Sequence, residues 1–190
     1  MEYGDEATIR HRLEASEKKS HSIYNNLEID GVRYVFEKRE FEYGFSMVVP
    51  TSFEYMTPEV ARRKFPSEER PKVVISSDDS RICIALNSSQ TSHEDMDDRV
   101  TSMREYIKRV APANVFFIQG VYELPNKIKV GHFDYRYPAI DNDIYNITFC
   151  ADLPGLELLG WFICPVQIKE KWEPLFRQIM QSIELTTQGG

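Results

Sequence analysis

Between Val115 and Cys164 the chain carries four strand-length segments in close succession, and this run limits the fold more than any other feature. The segments are residues 115–124, 127–137, 143–153 and 156–164. Pro125-Asn126 joins the first to the second, and Pro154-Gly155 joins the third to the fourth. Joints this short can only reverse the chain, because parallel neighbours need a crossover of about a dozen residues or more. An antiparallel sheet therefore lies at the centre of the fold. Within 127–137 the apolar phase changes from Ile128 and Val130 to Phe133, Tyr135 and Tyr137. One extra residue near Gly131, a β-bulge, accounts for such a change.

The sheet needs partners, and the sequence supplies them. Met96, Val100, Met103, Ile107 and Val110 recur at helical spacing and share one face. Thr91 and Glu94 have capping-box spacing before this helix, and Pro112 closes it. A second stripe, Trp172, Leu175, Phe176, Ile179 and Ile183, marks a closing helix that starts near Glu170, with Pro174 in its first turn. Upstream, Val32, Tyr34 and Phe36 alternate on one strand, and Phe41, Tyr43, Phe45, Met47 and Val49 on the next, with the charged stretch 37–40 as their connection. Pro50 ends that hairpin. Thr57-Pro58 then opens a short helix that stops near Phe65, because Pro66 cannot continue it. Two further strands, 72–76 and 81–87, are joined at Ser77-Asp78-Asp79-Ser80. One sheet of antiparallel hairpins with helices on both faces buries all these stripes. The expected class is α+β, a three-layer α/β/α sandwich with a mainly antiparallel sheet.

Length and composition agree with a single domain. A chain of 190 residues and 42% hydrophobic content has enough apolar surface for a core without disulfide staples. Residues 1–27 stand apart as a mobile arm or marginal helix, carrying nine charged side chains and few large aliphatic ones. The domain proper spans 28–187. The formal charge of −7 argues against nucleic-acid binding by bulk charge, which needs clustered basic residues. Met1 to Arg10 place acids where a signal peptide carries bases, and no apolar run approaches the ~20 residues of a membrane span. A reducing cytoplasm is the expected compartment. Cys83, Cys150 and Cys164 have no metal or redox spacing and read as small core residues. The sequons at Asn87 and Asn146 read as chance matches.

The stretch Gly44-Phe45-Ser46-Met47-Val48-Val49-Pro50, followed by Phe53 and the short helix, resembles the opening of Mog/PsbP-like proteins. The closing helix with Trp172-Glu173-Pro174, then Ile179 and Ile183, resembles their end. The similarity covers roughly 28–185. It extends to uncharacterised bacterial proteins of that fold, through Ile144-Tyr145-Asn146 opening a strand and Trp161-Phe162-Ile163-Cys164-Pro165 ending the next. The resemblance implies a mostly non-catalytic group. Some members bind a small GTPase, some associate with a photosynthetic membrane complex, and some are chaperones for secreted bacterial effectors. It supplies no catalytic motif to carry over.

The residues themselves offer little chemistry. Nucleophile-elbow, P-loop and dinucleotide patterns are absent. The four histidines have no metal-ligand spacing, so no metal and no cofactor are expected. Glu94, Asp95, Asp97 and Asp98 complement the dipole at a helix start, and Asp141-Asn142-Asp143 reads as a turn. His132, beside Asp134, has the residue types of a general base but no nucleophile linked to it. The candidate binding face consists of Tyr122, His132, Tyr135, Tyr137 and Tyr145, with the loop 138–143 as its rim. Tyrosine combines apolar area with a hydroxyl at low entropic cost, which suits recognition. The expected function is a non-enzymatic cytoplasmic module that binds a protein or peptide through this face. The alternatives are a chaperone for a secreted effector and a hydrolase using His132.

Overall fold

The computed structural model describes residues 22–186; most of the expected N-terminal arm lies outside them. Twelve strands occur among the described residues: β1 (Leu27–Ile29), β2 (Val32–Tyr34), β3 (Phe36–Phe41), β4 (Phe45–Pro50), β5 (Glu54–Tyr55), β6 (Val73–Ser76), β7 (Cys83–Ser89), β8 (Val115–Glu123), β9 (Lys129–Tyr137), β10 (Ile144–Leu153), β11 (Leu156–Pro165) and β12 (Glu184–Leu185). Three α-helices accompany them: α1 (Pro58–Lys64), α2 (Met96–Val110) and α3 (Lys169–Gln181).

Seven strands form the main sheet in the order β5-β6-β7-β11-β10-β9-β8, with every neighbouring pair antiparallel. The Pro154-Gly155 joint works as its sequence demands, with Leu153 opposite Leu156 and Gly155 at φ +81°. Helix α3 covers one face, where Phe149, Phe162 and Phe176 stack in succession at centroid distances of 5.1 and 5.0 Å. Helices α1 and α2 lie on the other face. The three expected layers are present.

The opening hairpin does not join this sheet. β3 and β4 form a separate three-stranded sheet with β12, and β1 pairs with β2 alone. Residues 37–40, expected as the connection, lie inside β3; the chain reverses at Glu42-Tyr43-Gly44, where Gly44 takes φ +74°. Phe45, Met47 and Val49 still alternate inward. They join the core that holds Trp172, which meets Tyr34 edge-on at 5.1 Å and stacks on Phe53 at 5.8 Å. Ser182, at the end of α3, accepts from the Val48 N–H and so ties helix to hairpin. The packed part of the chain begins earlier than residue 28. Ile23 and Leu27 are buried, and the Ile23 N–H donates to the side-chain Oε1 of Gln178.

Helix boundaries follow the capping chemistry with two corrections. Thr57 caps α1 as expected. Asp95, not Thr91, caps α2, its carboxylate accepting from the Asp97 N–H at 3.0 Å. Pro174 sits in the second turn of α3 on the solvent side, where water can satisfy the carbonyl of Glu170 that loses its intrahelical donor.

The bulge is displaced from Gly131. β9 keeps unbroken register with β10 from Tyr137 to Val130, and the irregularity lies across the other pairing, in β8. There Phe117 and Ile118 together face Asp134, between the pairs Phe116–Tyr135 and Gln119–Phe133. The apolar phase changes in β9 because both faces of that strand are covered. Val130, His132 and Asp134 point under α3, whereas Gly131, Phe133, Tyr135 and Tyr137 point toward α2. Gly131 is there for space. A Cβ on it would lie 2.2 Å from Val100 Cγ2 and 2.8 Å from Met96 Sδ.

Candidate functional site

Along the α2 side of β9 the side chains run Gly131, Phe133, Tyr135, Tyr137, from none to large. Helix α2 rides over them in step, with Met96 and Val100 against Gly131, Arg104 over Phe116 beside Tyr135, and Ile107 lining a common cavity with Tyr135 and Tyr137. The glycine lets the helix start touch the sheet and the rings that follow hold its later turns off, so burial falls from Met96 and Val100 to the exposed Val110. The start is also pinned electrostatically. Arg99, buried, donates from Nη2 to both oxygens of Asp152 at 2.7 and 2.9 Å and faces Glu157 with Nη1 at 3.3 Å. The end is free, so that Met103 and Ile107 are only half-buried and Val110 is 58% exposed. The expected five-residue stripe thus docks through its first half.

Beneath the lifted end lies an open groove of about 570 Å³, within the range typical of ligand sites. Tyr135, Tyr137 and Trp161 form its floor, Ile107 and Ala113 one wall, and Phe65 and Pro71 the other. Glu69, Asn114 and Asn146 add the polar groups, and Pro138 brings in the start of the expected rim. Burial raises the Tyr137 phenol to about 12, helped by Tyr135 and Cys83, so both hydroxyls in the floor stay protonated and can donate.

The five residues expected on one binding face divide between two. Tyr135 and Tyr137 reach the groove; Tyr122, His132 and Tyr145 lie on the opposite face under α3. The sequence placed them on neighbouring strands correctly, but register decides the face, and Tyr145 is one residue out of phase with Asn146, the partner of Tyr135. The residues that sequence reasoning missed in the groove, Phe65, Pro71 and Ile107, come from distant segments and carry no local signal beyond their apolar character.

Under α3 the residues build a charge network. Asp134 is fully buried and accepts from the Tyr145 hydroxyl at 2.6 Å and from the Ile118 N–H at 2.7 Å, the latter freed by the bulge in β8. Arg177 approaches it at 3.5 Å while pairing with Glu173 at 2.9 Å. Lys169 lies over the rings of Phe117 and Tyr145. Burial raises the Tyr145 phenol, and the hydrogen bond to Asp134 adds to it. His132 is 7% exposed, and its Nδ1 has no partner. Burial lowers its pKa, Arg177 lowers it further and Asp134 opposes both, so the net shift favours the neutral imidazole. The nearest ring is Tyr122, at 5.8 Å. This arrangement holds a bulge and a helix together.

Among the described residues no cluster of three or more His, Cys, Asp or Glu side chains is placed to hold a metal ion. Asn146, in one of the two sequons, is buried and accepts from the Thr148 hydroxyl.

Solved structures share this architecture. Cyanobacterial PsbP (CyanoP) from Synechocystis sp. PCC 6803 superposes with a TM-score of 0.60 over 85% of this chain and 98% of its own, at 12% identity. The fold is PsbP-like. LpqN of Mycobacterium tuberculosis, described as involved in cell envelope biogenesis, matches over 85% of this chain and 99% of its own with a TM-score of 0.56, also at 12% identity. At that identity the PsbP-like likeness is one of backbone architecture. No family model and no curated protein matches the sequence. No helix among the described residues is long and apolar enough to cross a membrane.

Proposed function

We propose that this PsbP-like chain is a non-catalytic binding module, and that it holds a protein or peptide segment in the groove beneath α2. One observation carries the proposal: the end of α2 leaves a concave, aromatic-floored surface open beside the sheet. Apolar and aromatic walls with a few convergent polar groups are the usual composition of a recognition site. The phenols of Tyr135 and Tyr137 and the amides of Asn114 and Asn146 supply the donors and acceptors that a peptide backbone needs. The network around His132 is buried under α3 on the far side of the sheet from the groove and takes no part.

The test is selection from a random 12-residue peptide library against the full chain. Ala113 lines the groove from an exposed position, so Ala113→Trp fills the groove while sparing the core. Peptides retained by the native chain and lost on Ala113→Trp support the proposal. Peptides held equally by both proteins, or none held by either, refute it.

A further inference from the structure

A second cavity, of about 390 Å³, opens on the other side of the segment 65–72, and Pro71 lines both. Its charged walls are Arg62, Arg70 and Lys72, against one acid, Glu68. Among the described residues most other basic side chains are matched, as in Arg63 with Glu59, Lys38 with Glu184, Lys127 with Glu123, Arg136 with Asp143 and Lys171 with Asp30. Arg62 and Lys72 have neither an ion pair nor a hydrogen bond among the described residues. Arg70 spends only its Nε–H, on the Phe65 carbonyl at 3.2 Å, which fixes the side chain and leaves both terminal nitrogens available.

We infer that the partner held in the groove is an acidic peptide segment, whose carboxylate enters the Arg62–Arg70–Lys72 cavity while a neighbouring bulky apolar side chain fills the groove. The inference rests on the groove reading above and adds the partner's chemistry to it. Cations crowded around one cavity gain most from a ligand that neutralises them, and a guanidinium pre-set by one hydrogen bond presents a fork that suits a carboxylate. Extended chain advances about 3.3 Å per residue, so two cavities that share a lining residue are bridged within a few positions. The apolar anchor supplies the area, and the charge supplies orientation and on-rate.

Peptides recovered in the selection test the inference directly. Those that depend on the groove should carry Asp or Glu within four positions of a bulky apolar residue. The variant Arg62→Ser/Lys72→Ser alters only exposed side chains and leaves Arg70 on its carbonyl. It should bind these peptides about tenfold more weakly, and amidating their acids should abolish the difference between the two proteins. Groove-dependent peptides that lack acids, or that bind the double variant as well as the native chain, overturn the inference and leave the groove standing. Failure to recover any peptide sensitive to Ala113→Trp overturns both.

Discussion

Replacing Gly131 by alanine tests the close approach that sets the tilt of α2. The added Cβ would lie 2.2 Å from Val100 Cγ2 and 2.8 Å from Met96 Sδ. Carbon atoms in contact prefer about 3.5–4.0 Å, so the helix start has to retreat by about 1.5 Å or force strained rotamers. Overpacking of this kind costs about 1–3 kcal/mol. Entropy lost from the unfolded chain works in the opposite direction, because alanine restricts it by about 0.4–1 kcal/mol relative to glycine. A net loss of about 1–2 kcal/mol follows, equivalent to a fall in Tm of about 2–8 °C for a domain of this size. Urea unfolding followed by circular dichroism measures it. Val100→Ala removes the obstructing methyl groups, so the double variant should recover at least about 0.5 kcal/mol relative to the sum of the single changes. A neutral or stabilising Gly131→Ala, or strict additivity with Val100→Ala, would refute the reasoning. It would mean that the close approach to Val100 and Met96 is not what requires the glycine.

Two further outcomes follow from the buried groups. His132 has a folded pKa below its ordinary 6.5, so the unfolded chain takes up the proton first as acid is added. Its contribution is complete above about pH 6.5 and is lost as pH falls through that value toward the folded pKa, with a slope of up to about 1.4 kcal/mol per unit. Urea midpoints between pH 7.5 and 5 should therefore fall less steeply in His132→Gln than in the native chain; parallel curves would contradict this. The three thiols are buried, and burial raises them all, Cys150 and Cys164 to about 12. None should react with a thiol-specific disulfide reagent at pH 8 until denaturant is added, and fast reaction of any one in the native chain would count against its placement.

Much of the main sheet was legible because hairpins announce themselves locally. Pro154-Gly155 fixed the register of β10 and β11, and the Trp172 stripe identified a docked helix without knowledge of its partner. The opening hairpin was harder to place. Its inward residues, Phe45, Met47 and Val49, look alike whether they cover α3 from a second sheet or extend the first, and pairing with β12 is a contact across most of the chain. The phase change in β9 was visible, but its cause lay in coverage: a strand buried on both sides can place Asp134 inward when Tyr145, Ile118 and Arg177 arrive from elsewhere to meet it. The groove was half visible. Tyr135 and Tyr137 stood out by type, yet the space above them exists because Gly131 lies four and six residues earlier on the same face, and that relation becomes legible only with the helix in place.

The union of β4 with β12, and of Trp172 with Tyr34 and Phe53, has a bearing on how the chain is made. A ribosome adds about 5–20 residues per second, so roughly 6–24 s pass between the emergence of Phe53 and that of Trp172. During that interval the greasy side of the first hairpin has no native surface to rest on. The nascent polypeptide must be sheltered by other factors or by transient collapse, and a stop codon before α3 would leave that side bare for good.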